Sequence, residues 1–195
     1  MNYTVEFPGS ELKLYYNEKV YSPEYSAVDT ILVADKLVKD GQKPFTSVLD
    51  VGCGSGVVGL GVKQLNPTVL LTMSDVSPEA VKVARLNSKR LGLESVVVTA
   101  DLLPAIGNWD IITANLPTYN KEDLVDLHGP ESAYLGEELT YYSQLFEQAP
   151  GRCKALVCEC QKKYQKEFLS LAKKRGWVLI LQTEMAFAFT YRTAK

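Results

Sequence analysis

Residues 48–60 read Val-Leu-Asp-Val-Gly-Cys-Gly-Ser-Gly-Val-Val-Gly-Leu, an apolar strand running into a glycine-packed turn and then a helix. No other stretch restricts the fold as tightly. Gly52, Gly54 and Gly56 have no side chain and tolerate positive φ, so backbone there can approach a bound molecule closely.

The rest of the chain alternates in the same way. Apolar runs predict strands near 47–51, 69–75, 95–99, 110–114, 154–160, 178–183 and 185–191. Helical spacing predicts helices near 27–39, 57–65, 78–91, 140–149 and 162–175. Ser77 before Pro78 is good start chemistry, and Gly176 after Lys173-Lys174-Arg175 is good stop chemistry. Ser26 with Asp29 resembles a capping box. Leu12–Tyr16 with Val20-Tyr21 suggests a short hairpin or an extended lead-in. The expected class is α/β, a Rossmann-like, mostly parallel seven-stranded sheet with helices on both faces. Ligands of such sheets sit at the carboxyl ends of the strands. At 195 residues the chain fits one domain, with 1–26 as its lead-in. The loop at 118–139 is long enough to suggest a functional role.

Composition excludes several classes. A hydrophobic share of 46%, a charged share of 23% and a net charge of −2 are ordinary for a soluble domain. Lys162-Lys163 and Lys173-Lys174-Arg175 read as a solvated helix face, not the basic stripe of a protein that grips nucleic acid alone. No apolar run reaches membrane-spanning length and the N-terminus has no signal core, so a cytoplasmic location is expected. Cys53, Cys153, Cys158, Cys160 and the single His128 lack zinc-site spacing; reduced core thiols and no metal are expected.

Asp75 closes the apolar run that follows the glycine turn, where a carboxylate can accept hydrogen bonds from two ribose hydroxyls. A nucleoside-containing cofactor is therefore expected. Gly54, Gly56 and Gly59 also satisfy the dinucleotide pattern Gly-x-Gly-x-x-Gly, which leaves an NAD-type reading open. Three details favour S-adenosylmethionine. Asp50 stands two positions before Gly52, in reach of an amino-acid end. Asp101 ends the next strand, where an adenine amino group would lie. One nucleotide-binding half is followed by Asn115-Leu-Pro-Thr-Tyr119, not by a second half.

On these parts the chain resembles a class I S-adenosylmethionine-dependent methyltransferase from about residue 20 to its end. The resemblance implies an antiparallel C-terminal strand, Asp75 on the ribose, and Asp101 with Leu102 framing the adenine. Asn115-Leu116-Pro117-Thr118 resembles the Asn-Pro-Pro-Tyr loop of enzymes that alkylate planar, amide-like nitrogens. It implies catalytic roles for Asn115, Pro117 and Tyr119, with Asn115 also touching the cofactor. The departures are Leu116 for the first proline, Thr118 in the aromatic position, and Tyr119 one residue late. A plain alternative for Asn115 is a turn residue bonding its own backbone.

Lys19–Glu24 with Asp29-Thr30, His128–Gly136, and Glu159 with Gln161 resemble segments of the HemK-type protein-glutamine methyltransferases. The Gly-Gly pair of that family is replaced by Gly136-Glu137-Glu138. The resemblance implies a peptide-chain release factor as protein substrate, methylated on the glutamine of its Gly-Gly-Gln loop. The short lead-in is closer to compact members of the family, which work with a small zinc-binding partner subunit. Two alternatives stay open: an exocyclic amine of adenine or guanine in RNA or DNA, and a non-catalytic cofactor-binding scaffold.

Overall fold

The computed structural model describes residues 1–20, 27–40, 45–118 and 139–192. The strands are β1 (Asn2–Phe7), β2 (Ser10–Tyr15), β3 (Ser47–Val51), β4 (Leu70–Asp75), β5 (Val96–Thr99), β6 (Trp109–Ala114), β7 (Cys153–Glu159), β8 (Trp177–Gln182) and β9 (Ala186–Tyr191). The helices are α1 (Val28–Asp40), α2 (Val57–Leu65), α3 (Pro78–Leu91), α4 (Thr140–Gln148) and α5 (Gln165–Lys174).

Seven strands pair in the order β5-β4-β3-β6-β7-β9-β8. Those from β5 to β7 run parallel, and β9 is antiparallel to both of its neighbours. The α/β class, the seven-stranded sheet and the antiparallel last strand are as expected. From β3 the chain winds outward through β4 and β5, then returns to place β6 on the other side of β3. That reversal makes the β3–β6 junction the switch point where α/β sheets bind ligands.

Strand parity explains the two layers. Val48, Leu71, Met73, Ile111 and Val157 join the core shared with α1 and α2. Their neighbours Leu49, Val51, Ile112, Leu156 and Cys158 join the core with Tyr142 and Phe146 of α4 and Phe168 of α5. A sheet covered on both faces favours apolar residues on both sides of each strand, which is why these strands read as near-continuous runs.

The caps of α3 follow the sequence: Ser77 Oγ accepts the Ala80 N–H at 3.4 Å, and the helix ends on Gly92 in the left-handed region. Two expectations are corrected. The hairpin at the N-terminus pairs Asn2–Phe7 with Ser10–Tyr15, so the Leu12–Tyr16 stretch is the second strand of a hairpin that begins earlier; Tyr21 lies outside the described residues. Val5, Phe7, Leu12 and Leu14 alternate inward across a Pro8-Gly9 turn, whereas Val20 packs on Ala80 and Val83 of α3. The predicted helix start at 162 is a 3-10 turn, Lys162–Tyr164, ahead of α5. Ser26 of the expected capping box lies outside the described residues. Its companion Asp29 instead accepts the Thr183 hydroxyl at 2.7 Å and the Met185 N–H at 3.1 Å.

All four cysteines are free thiols. Among the described residues no helix is long and apolar enough to cross a membrane, and no three metal-ligating side chains converge.

Candidate active site

The glycine turn leaves β3 at its carboxyl end and is shaped by backbone bonds. Cys53 N–H donates to Ser74 O at 3.0 Å and Gly56 N–H to Cys53 O at 2.7 Å. Gly52 and Gly56 have φ of 66° and 85°, a region L-residues adopt only with strain. Space is closed as well. A Cβ at Gly52 would stand 2.7 Å from Leu116 Cδ2, and one at Gly56 3.0 Å from Leu60 Cδ1.

Asp75 meets this turn from β4. Its Oδ2 accepts the Gly54 N–H and its Oδ1 the Ser77 N–H, both at 2.9 Å. Burial pushes its carboxyl above the ordinary range, against the pull of those two N–H groups. An ionised carboxylate offers about four acceptor positions. Two therefore remain on Asp75, a donor-accepting pair that suits a vicinal diol such as a ribose. The residues fit a nucleoside, and the turn with no side chains at its rim fits a ligand lying against backbone.

Asp50 sits deeper than its spacing suggested. It is 1% exposed, its Oδ2 accepts the Gly59 N–H of α2 at 2.9 Å, and its Oδ1 accepts the Thr113 hydroxyl of β6 at 3.0 Å. Parity explains this: Asp50 shares a face with Val48, under α2. Burial pushes its carboxyl up to about 7, opposed by the Gly59 and Thr113 bonds and aided by the Asp75 charge. Its evident work is to lock the first turn of α2 to β6.

Asp101 is exposed just past β5. Leu102 is buried with φ of 59°, and its carbonyl accepts the Ser74 hydroxyl at 2.9 Å. The loop beyond it is held by Arg152, whose Nε donates to Gly107 O at 2.6 Å and Nη2 to Pro104 O at 2.9 Å. The Arg152 guanidinium also lies over the Trp109 ring at 5.5 Å.

The loop after β6 completes the site. Val51 pairs with Ser74 on one side and Ala114 on the other. Asp75 and Asn115, each one residue further, therefore flank Gly52, about two strand spacings or ~10 Å apart. Asn115 and Pro117 are half-buried, while Leu116 and Thr118 are buried. Tyr119 and His128–Gly136 lie outside the described residues, as do Tyr21–Glu24 of the lead-in.

Several residues that hold this site were not singled out from sequence. The Tyr142 hydroxyl of α4 accepts the Leu116 N–H at 3.0 Å. Buried Asn87 accepts the Tyr15 N–H at 2.7 Å and donates to Tyr15 O and Ser55 O, both at 2.8 Å, tying the hairpin to the glycine turn. Two residues that the sequence did mark, Thr30 and Glu159, meet each other: Thr30 Oγ1 donates to buried Glu159 Oε2 at 2.9 Å. An asparagine or tyrosine at an inward helix position is the available signal, since such a polar group needs a buried partner.

Residues 11–127 match the methyltransferase small domain. The release factor glutamine methyltransferase of Borreliella burgdorferi is 38% identical over 124 residues, 61% of this chain and 41% of that protein. The ribosomal RNA small subunit methyltransferase C of Pasteurella multocida is 32% identical over 114 residues, 58% of this chain and 34% of that protein. The chain thus spans less than half the length of these relatives. Among solved structures, the T. thermophilus 16S rRNA N2 G1207 methyltransferase in complex with AdoMet and guanosine superposes with a TM-score of 0.70. It shares 16% identity, with 98% of this chain and 50% of that one covered. The ribosomal protein L11 methylase of Lactobacillus delbrueckii subsp. bulgaricus gives a TM-score of 0.65 at 14% identity, covering 90% and 82%. At such identities the likeness is one of fold.

Proposed function

The chain belongs to the methyltransferase small domain family, and from that membership we propose that it is an S-adenosylmethionine-dependent N-methyltransferase. Its proposed acceptor is a planar amide nitrogen, the side chain of a glutamine in a peptide-chain release factor. The observation that carries this reading is the position of Asn115-Leu116-Pro117, across Gly52 from Asp75.

Bound S-adenosylmethionine supplies an electrophilic methyl group on sulfur. Asp75 would hold its ribose, the backbone of Gly52, Gly54 and Gly56 would lie against it, and Asp101 with Leu102 would frame its adenine. Asp50 supports that cradle from below through Gly59 and Thr113.

An amide nitrogen is a poor nucleophile because its lone pair is delocalised. The side-chain carbonyl of Asn115 and the backbone carbonyl of Leu116 are suited to accept its two N–H hydrogens, which turns the lone pair toward the methyl. Holding reactants in such a pose is worth roughly 7–11 kcal/mol of barrier. No strong base is needed, because the nitrogen acidifies as its new bond forms. Pro117 confines the backbone of Leu116 to extended geometry, keeping that carbonyl aimed. Tyr119 is the proposed aromatic wall.

The release factor reading is supported by relatives of that description at 38%, 30% and 39% identity. We take residues 1–195 as one methyltransferase domain with 1–26 as lead-in, and a small partner subunit as compatible with it. A second reading has its own support: relatives described as ribosomal RNA methyltransferases at 32% and 37% identity. There the acceptor is an exocyclic base amine, held by the same two carbonyls.

Methyl-labelled S-adenosylmethionine separates the readings. The protein is incubated with a release factor or with ribosomal RNA, and the label is located by mass spectrometry. Label on a glutamine nitrogen supports the first reading and label on a base amine the second. Tight product binding without transfer to either would favour the scaffold.

A further inference from the structure

Asn115 is flanked on both sides by residues that touch one atom. The Tyr142 hydroxyl accepts the Leu116 N–H at 3.0 Å and lies 3.4 Å from Ala114 O, so it touches the residue after Asn115 and the residue before it. Its single proton is committed to Glu159 O at the end of β7. Tyr142 is 0% exposed, and its ring stands edge-on to Phe168 with centroids 5.0 Å apart. Burial pushes this phenol well above its ordinary pKa, so it stays protonated.

A fully buried tyrosine could have been a phenylalanine in such an aromatic cluster. The hydroxyl instead reaches out of the cluster to backbone of two parallel strands and of the loop beyond them. Once the Leu116 N–H is fixed, the Asn115–Leu116 peptide plane is fixed. Pro117 then restricts the other soft torsion of Leu116. Together they leave the Leu116 carbonyl and the Asn115 side chain little freedom. The helix that carries Tyr142 covers the sheet on the face away from α2, so the clamp is independent of the Asp50 lock.

We propose that Tyr142 is a positioning residue for methyl transfer, its hydroxyl clamping the backbone that presents Asn115 and Leu116 to the acceptor nitrogen. This rests on the N-methyltransferase reading above.

Tyr142→Phe keeps the ring and removes only the hydroxyl. With a release factor as acceptor, kcat should fall roughly 10–100-fold, the cost typical of a misplaced reacting group. The Kd for S-adenosylhomocysteine should stay within about twofold of wild type, since the cradle for the cofactor is untouched. Phe168→Leu, which thins the same cluster without touching the loop, should lower thermal stability yet keep kcat. Amide exchange by NMR reports the clamp directly: Leu116 should be protected in the wild type and released in Tyr142→Phe. Fast exchange at Leu116 in the wild type overturns the proposal without any variant. So does a Tyr142→Phe enzyme with Leu116 released and kcat unchanged. No transfer by the wild type to protein or RNA would instead sink the reading beneath it, with the exchange result still standing.

Discussion

Replacing Gly52 by alanine puts a methyl group 2.7 Å from Leu116 Cδ2 at a φ of +66°. Two costs follow. An L-residue held in the left-handed region costs about 1–2 kcal/mol. Forcing a methyl into occupied space costs about 1–3 kcal/mol more, because Leu116 is buried and can turn only by disturbing its neighbours. The two are separable, since Gly92 has the same φ of +66° and nothing within 4 Å of an added Cβ. Gly92→Ala reports the backbone cost alone, and the difference between the variants reports the contact with Leu116. Urea unfolding followed by circular dichroism measures stability, and calorimetry with S-adenosylhomocysteine measures the site. Gly52→Ala should be less stable than Gly92→Ala by about 1–3 kcal/mol. Product affinity should drop only in Gly52→Ala. Equal destabilisation with unchanged affinity would refute the claim that the glycine turn packs directly on the Asn115 loop.

Asn115→Ala should cut turnover at least about 100-fold while leaving product affinity within a few fold, as read by labelled methyl transfer and calorimetry. A variant that keeps its rate would remove Asn115 from the chemistry. Asp50 gives a pH prediction. Its carboxyl titrates near 7 in the fold and in the ordinary carboxylate range when unfolded, so the folded state carries an extra proton between those values. That stability is present at low pH and is lost as pH rises toward 7, by up to about 1.4 kcal/mol per unit. Asp50→Asn should abolish this part of the slope in urea midpoints taken from about pH 5 to 8; parallel profiles for the two proteins would contradict it.

The sheet was readable in the sequence because strands buried on both faces are apolar at most positions, and that pattern survives without knowing their partners. The N-terminal hairpin was misplaced for the opposite reason. Val5, Phe7, Leu12 and Leu14 bury only alternate positions, and the signal that orders them is the Pro8-Gly9 turn. Spacing placed Asp50 beside the glycine turn, but only its parity with Val48 tells that it faces α2. Asp75 was placed well by spacing, because a residue closing the strand next to the turn has one place to go. The inward position of Tyr142 on its helix could be read, but what its hydroxyl holds could not. Its partners Leu116, Ala114 and Glu159 are all backbone groups, 26, 28 and 17 residues away, and backbone carries no sequence signal.

Isothermal titration of S-adenosylhomocysteine into the wild type and Asp75→Ala tests the central claim most directly. Two hydrogen bonds to a charged group are at stake, about 1.5–3 kcal/mol each, so the variant should bind at least about tenfold more weakly. NADH should give no heat with either protein. A wild type that ignores the adenosyl ligand, or an Asp75→Ala protein that binds it just as well, would contradict the account.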